Sequence, residues 1–316
     1  MSVRILLTGG SSFTGVWIAE ALAAAGFEVV APLLRARDAY EGVRRERVLR
    51  LERCATVQFE RPFGSDAFLK DLSGLGRLDV LAHHAAHITG YRDPAYDALD
   101  GLRRNTEGAQ AVLRTFREVG GRAVVLTGSV FEAGEGGEAS SAAVTPYGLS
   151  KTLTSTAFAY WAGEAGLRFA RFVIPSPYGP LEEPRFGWYL FRTWFAGAVP
   201  VVKTPLYVRD HVAAWGLAEA YVRCVRDVLA GPSQSLVARP SGWIATQGEF
   251  ALRVAAEAGR RLGRDLPVEL SEQTQFEEPR VRVNGDTALA SSVGDVAFWD
   301  AYVAWYEDLQ ARGALT

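Results

Sequence analysis

Tyr147 and Lys151 stand four residues apart, so on a helix both side chains lie on one face. A free phenol titrates near 10, too high to pass protons at neutral pH. A neighbouring ammonium favours the phenolate and brings it toward the working range. The chain has 11 tyrosines and three lysines, Lys70, Lys151 and Lys203, so about 0.1 such pairs are expected by chance. Ser129, in Leu126-Thr-Gly-Ser-Val130, adds a hydroxyl able to hold a carbonyl or hydroxyl oxygen against Tyr147. The three together suit proton transfer at an oxygen-bearing carbon. Singly, each has an ordinary alternative: a surface pair on a helix, or a serine capping a turn.

A second group suits phosphate. Thr8-Gly-Gly-Ser-Ser-Phe-Thr-Gly15 lies between a strand pattern and a helix pattern, where glycines let backbone approach a pyrophosphate at a helix N-terminus. Gly9 and Gly15 hold the outer places of the three-glycine fingerprint, Ser12 takes the middle one, and Phe13 follows. The Ser12 hydroxyl can itself bond a phosphate oxygen. After the second strand, Ala31-Pro-Leu-Leu-Arg-Ala-Arg37 has no acid before Asp38. An acid there would bond the adenosine ribose and repel a 2′-phosphate. Arg35 or Arg37 can instead pair with that phosphate through a planar guanidinium. NADP(H) is therefore expected, with NAD(H) as the alternative.

The elements that must position these groups follow from apolar periodicity. Val3–Leu7, Glu28–Ala31, Val57–Phe59, Val80–Ala82, Ala123–Leu126 and Phe169–Ile174 read as strands. Gly15–Ala25, Ala95–Val119 and Pro146–Ala165 read as helices, and the mixed charges of Val43–Arg53 read as a solvated one. Strands alternating with helices predict an α/β fold, a doubly wound parallel Rossmann sheet, over residues 1–174. Residues 175–316, with a rigid Pro175–Pro180 loop, an aromatic-rich segment and an apolar helix near Val212–Leu229, predict a smaller, mostly helical substrate lobe. Parts of it, about 205–240, are expected to pack back on the sheet. Ser129, following a sheet strand, then falls at the carboxyl edge where such folds place ligands.

Composition narrows the class. The chain is 48% hydrophobic and 22% charged, with a formal net charge of −2, which offers no electrostatic case for nucleic acid or anionic membrane. Two distant cysteines suggest neither a disulfide framework nor a metal cluster. No apolar run reaches bilayer length, and the strand pattern starts at once, so the expected location is the cytoplasm.

These segments, in order, resemble the extended short-chain dehydrogenase/reductase family, in particular its nucleotide-sugar epimerases, dehydratases and reductases. Thr8–Gly15 looks like the TGGxGFxG loop, and Asp79-Val-Leu-Ala-His-His-Ala-Ala86 is similar to the fourth-strand DVVxHxAA segment along the cofactor. Asp93-Pro94 and Asn105-Thr-Glu-Gly108 match its DP and NxxG elements, and Ser129 with Tyr147-xxx-Lys151 matches its catalytic triad. Ser176-Pro-Tyr-Gly-Pro180 resembles the NxYGP loop, and Arg209-Asp210 the RD pair whose arginine contacts the nucleotide diphosphate. The resemblance implies that Ala85, Ala86 and Asn105 line the cofactor with Tyr147 and Lys151. It implies that Ser129, Ser176 and Arg209 meet substrate, with Arg282 (or Arg280) as a second clamp. It also implies a homodimer through the Ala95–Val119 region.

The departures carry information. Ser12 replaces a glycine and Ser176 an asparagine. The Asp-Glu pair that 4,6-dehydratases need after the catalytic hydroxyl residue is Val130-Phe131, so dehydration is not expected. The common Val-Tyr that follows is Glu132-Ala133, which the resemblance does not explain. His83, His84 and His87 are not expected to bind metal, because strand alternation sends the first two to opposite faces. The aromatics between Phe186 and Phe195 suit either a stacked ring or a core. The expected activity is NADPH-dependent reduction of a keto-deoxy-sugar carried on a nucleotide, with Tyr147 as proton donor. The alternatives are an NAD-dependent nucleotide-sugar epimerase and, from another class, a non-catalytic dinucleotide sensor.

Overall fold

The computed structural model describes residues 2–137, 142–231, 234–289 and 295–315. The chain runs β1 (Arg4–Thr8), α1 (Phe13–Ala24), β2 (Glu28–Pro32), α2 (Gly42–Cys54), β3 (Thr56–Gln58), α3 (Asp66–Gly74), β4 (Val80–His83), α4 (Ala98–Thr106), α5 (Ala109–Glu118) and β5 (Ala123–Ser129). It continues through α6 (Pro146–Glu164), β6 (Arg168–Ile174), β7 (Ser176–Tyr178), α7 (Phe186–Phe195), β8 (Val201–Val202), β9 (Val208–Ala213), α8 (Ala214–Ala230) and β10 (Ser235–Ala238). The last elements are β11 (Trp243–Thr246), α9 (Gln247–Leu262), β12 (Glu269–Leu270), β13 (Val281–Arg282) and α10 (Asp295–Ala311).

Among the described residues the main sheet has seven strands in the order β10-β6-β5-β4-β1-β2-β3, every pair parallel. Its strands are apolar runs rather than alternations, because helices cover both faces. Ile5 and Leu7 point into the core under α1 and α8, while Leu6 between them joins Val112, Phe116 and Phe158 on the other face. The architecture is thus the doubly wound Rossmann fold expected, with a helical C-terminal region. A smaller sheet joins β7, β9, β11 and β13 beside the carboxyl edge. No described helix is long and apolar enough to cross a membrane.

One expected element is corrected. The helical pattern Ala95–Val119 forms two helices, α4 and α5, interrupted at Glu107 and Gly108. Gly108 has φ 68°, and a Cβ there would lie 2.6 Å from the Gly64 backbone. A close tertiary approach, invisible to local periodicity, breaks the helix.

Local chemistry sets the ends of the two helices that matter most for the site. Ser12 caps α1, its hydroxyl accepting the Gly15 N–H. Thr145 caps α6 by accepting the Gly148 N–H, and Pro146 occupies the first turn, where its missing N–H costs nothing.

Candidate functional site

The end of β5 and the start of α6 form one corner. Phe131 accepts the Val144 N–H through its carbonyl (3.1 Å), and Thr152 Oγ1 on α6 accepts the Ala133 N–H (2.9 Å). These bonds tie the turn after Ser129 to the helix carrying Tyr147 and Lys151. Lys151 is 4% exposed and donates from Nζ to the Thr127 carbonyl at 2.7 Å. Tyr147 packs among Tyr91, Tyr96 and Phe131, with ring centroids 5.3, 6.0 and 6.3 Å away. Burial pushes its phenol above the ordinary value, Glu132, Tyr91 and Tyr96 add to that, and Arg185 opposes them. Burial also lowers the Lys151 ammonium, against the pull of Glu132.

His83 and His84 do point to opposite faces. His83 stacks on Phe158 at 4.9 Å, with Nδ1 3.0 Å from Thr8 Oγ1. His84 uses both ring nitrogens, Nε2 on Thr14 Oγ1 (2.9 Å) and Nδ1 on Thr127 Oγ1 (2.8 Å). Burial and then the nearby Lys151 hold both rings down to about 3, so they are neutral near pH 7. They link β4 to α1 and β5.

The phosphate loop fits a dinucleotide. Gly9 has φ 73°, and a Cβ there would stand 2.7 Å from the Ala85 nitrogen, so only glycine lets the loop lie against the end of β4. The first turn of α1 carries no acidic residue, leaving its positive end for an anion. The Ser12 hydroxyl is committed inside the loop: it donates to the Gly9 carbonyl (2.8 Å) and accepts from Gly15 N–H (3.1 Å). Its contribution is to hold the loop's shape, in place of the phosphate bond the sequence suggested. Asn105 is buried and accepts the His87 N–H at 2.7 Å, so it fixes the segment beyond Ala85 and Ala86. Beyond β2, Arg35 is exposed, whereas Arg37 forms a two-pronged pair with Glu52 (2.6 and 2.9 Å).

The second lobe brings Arg209 and Arg282 side by side as register partners of β9 and β13. Both bind Glu278: Arg209 Nη2 at 2.6 Å, and Arg282 through Nη1. Arg209 Nη1 also donates to the Val208 and Arg280 carbonyls, at 2.8 and 3.0 Å. Arg282 lies 3.9 Å over the Phe131 ring, which reaches Tyr147. Ser176 pairs with His211 across β7 and β9, and Asp210 accepts the backbone N–H groups of Gly242 and Asn284. The structure therefore joins Ser129, Tyr147, Lys151 and Arg282 around one turn, and ties Arg37 and Arg209 to neighbouring carboxylates.

The family model "NAD dependent epimerase/dehydratase family" matches residues 5–237, most of the chain and nearly all of the main sheet. The chain belongs to this family. As a member it is an NAD(P)-dependent enzyme of the extended short-chain dehydrogenase/reductase type. No curated protein matches the sequence. Among solved structures, it is similar to UDP-glucose 4-epimerase from Stenotrophomonas maltophila with bound NAD and formylated UDP-arabinopyranose (TM-score 0.74, 18% identity, covering 98% of this chain and 99% of that one). It is also similar to UDP-glucose 4-epimerase with UDP-glucose from Thermotoga maritima (0.71, 18%, 98% and 100%). A third similar structure is dTDP-glucose 4,6-dehydratase from Streptomyces venezuelae with NAD bound (0.72, 17%, 99% and 100%).

In this epimerase/dehydratase-family chain, sequence reasoning missed several residues around the corner. Tyr91 and Tyr96 flank the Asp93-Pro94 element and wall in Tyr147. Glu278 was hidden as one of two adjacent glutamates, although it sits four residues before Arg282. Glu132 was visible as a departure from the family pattern, and that anomaly was the signal.

Proposed function

We propose that this protein transfers a hydride between a nicotinamide dinucleotide and a sugar carbon of a nucleotide-activated sugar, most readily as an NADPH-dependent reductase of a keto-deoxy-sugar. The observation that carries the reading is the convergence of Ser129, Tyr147 and Lys151 at the carboxyl end of β5, where open α/β sheets take their ligands. When bound, the reduced nicotinamide supplies the hydride. Ser129 orients the substrate oxygen, and Tyr147 gives its hydroxyl proton to that oxygen as the carbonyl carbon is reduced. Burial and Glu132 keep Tyr147 in the phenol form, which is the form a proton donor requires. Lys151, held through Nζ on the Thr127 carbonyl, stands one helical turn from Tyr147, where an ammonium eases the phenolate left behind.

The absence of an acid after β2 and the exposed Arg35 favour NADP(H). Arg37, engaged by Glu52, favours the second reading, an epimerase using NAD. For the substrate, Arg282 keeps a buried Nε with no hydrogen-bond partner among the described residues, a free donor for a phosphate oxygen beside Phe131. Leu99, Leu149 and Tyr160 are exposed on the paired helices α4 and α6, the surface a homodimer would cover.

The test offers UDP-, dTDP- and GDP-linked sugars and their keto derivatives with NADPH or NADH and follows the nicotinamide absorbance. Tyr147→Phe should fold and lose turnover by orders of magnitude. Turnover near wild type would remove Tyr147 from the mechanism. Wild-type protein that interconverts sugar epimers with bound NAD would establish the second reading.

A further inference from the structure

Beneath the Ser129 turn lies a carboxylate that proton transfer by a Ser–Tyr–Lys set does not require. Glu132 is 1% exposed. One oxygen accepts the Ser129 N–H at 2.7 Å, and the other faces Arg171 Nη1 on β6 at 3.3 Å. Arg171 also holds Glu135, which in turn pairs with Arg239 at 2.6 Å. Both Glu132 oxygens thus meet donors. Donors on both oxygens favour the ionised form, against the burial that raises the group's pKa. An ionised side chain so deeply buried, in place of the apolar residue common in the family, asks for a purpose.

We infer that Glu132 is a positioning residue of the reaction: from below, it fixes the Ser129 turn and sets the field in which Tyr147 gives up its proton. The inference rests on the reading of Tyr147 as the proton-transfer group. A fixed negative charge opposes phenolate at Tyr147 and favours ammonium at Lys151, the resting charges of a site that donates a proton. The other groups facing Tyr147 are Tyr91 and Tyr96 from the segment after β4 and Arg185 from the start of α7. Those facing Glu132 are Lys151 on α6, Arg171 on β6 and Glu135 on its own turn. Among these charges Glu132 alone also hydrogen-bonds the Ser129 backbone, so it couples the turn's geometry to the charge state.

Glu132→Gln keeps the amide oxygen for the Ser129 N–H and removes the charge, while Arg171 keeps Glu135. Two measurements test it on the full chain. The first is the ultraviolet phenolate titration of Tyr147, taken as wild type minus Tyr147→Phe and repeated in the Glu132→Gln background. The second is the pH profile of kcat/KM. Both should move to lower pH by about half a unit or more, and Glu132→Asp, which keeps the charge but draws it back, should move them part of that way. A folded Glu132→Gln protein with unmoved titration and profile overturns the inference, whatever its turnover. If Glu132→Gln does not fold, Glu132→Asp is titrated against wild type, and a profile unmoved by the displaced charge also overturns it. Should Tyr147→Phe itself remain active, the proposed function falls, and the substrate-free phenolate titration still decides the role of Glu132.

Discussion

The carboxyl of Glu182 makes the stability of this protein depend on pH in an unusual direction. Glu182 lies between β7 and α7, buried, and accepts hydrogen bonds from Tyr302 (2.6 Å) and Tyr306 on α10. Burial outweighs those bonds and pushes it up from about 4.5 to about 7. A folded-state value above the unfolded one means that the native chain binds more protons between the two, so stability falls as pH rises through that window. A displacement of that size corresponds to roughly 3 kcal/mol at full ionisation. Glu182→Gln keeps an acceptor for both tyrosines and removes the charge, so near pH 8 it should unfold at higher urea than wild type, by up to about 3 kcal/mol. Near pH 4 the gain should vanish. His83, His84 and His211, each held near 3 by burial, give an opposite slope below their unfolded value, but they are common to both proteins and cancel in the difference. Urea unfolding followed by tryptophan fluorescence across this range measures it. Parallel wild-type and variant curves would refute the argument.

Three arginine variants extend the test. Arg35→Ala should weaken NADPH about ten- to a hundredfold and spare NADH, since a charge-assisted pair contributes about 1.5–3 kcal/mol. Arg37→Ala, which removes only an exposed pair with Glu52, should change neither by more than about twofold, and equal losses in both variants would reject the distinction. Arg209→Ala removes donors to three backbone carbonyls and to Glu278, so melting temperature should drop clearly along with any rise in KM for a nucleotide sugar. A raised KM with unchanged melting would make Arg209 a substrate contact alone.

The first six strands of the main sheet were legible to within one to three residues, because buried parallel strands are short apolar runs bounded by turn residues, whereas β10 and the short strands of the small sheet were not. The Tyr147–Lys151 pair was legible because helical spacing is local. What escaped depended on partners distant in sequence. Gly108 breaks a continuous helical pattern only because Gly64 packs against it. Arg37 looked free until α2 brought Glu52 alongside, and Ser12 until its hydroxyl turned inward to Gly9 and Gly15. Glu132 had no reading of its own, since its meaning lies in Arg171 on a neighbouring strand. Helix α3 went unassigned, a nine-residue element that offers only the Ser65 cap and a two-residue buried face of Phe68 and Leu72 as signals.

The seventh strand has a consequence for how the protein comes into being. On a ribosome, β1 to β6 emerge in sequence, but the strand that closes the β6 edge is β10, drawn from beyond β7, the aromatic helix α7 and β9. Until residue 238 has left the exit tunnel, β6 offers a row of unpaired amides and carbonyls, the feature through which nascent chains stick to one another. Helix α8, which covers α1, arrives just before it. The cofactor half therefore cannot finish folding ahead of the segment that shapes the substrate side. Loop insertions after β10 should be tolerated during synthesis, whereas a stall or break between β6 and β10 leaves a sticky half-sheet for chaperones to hold.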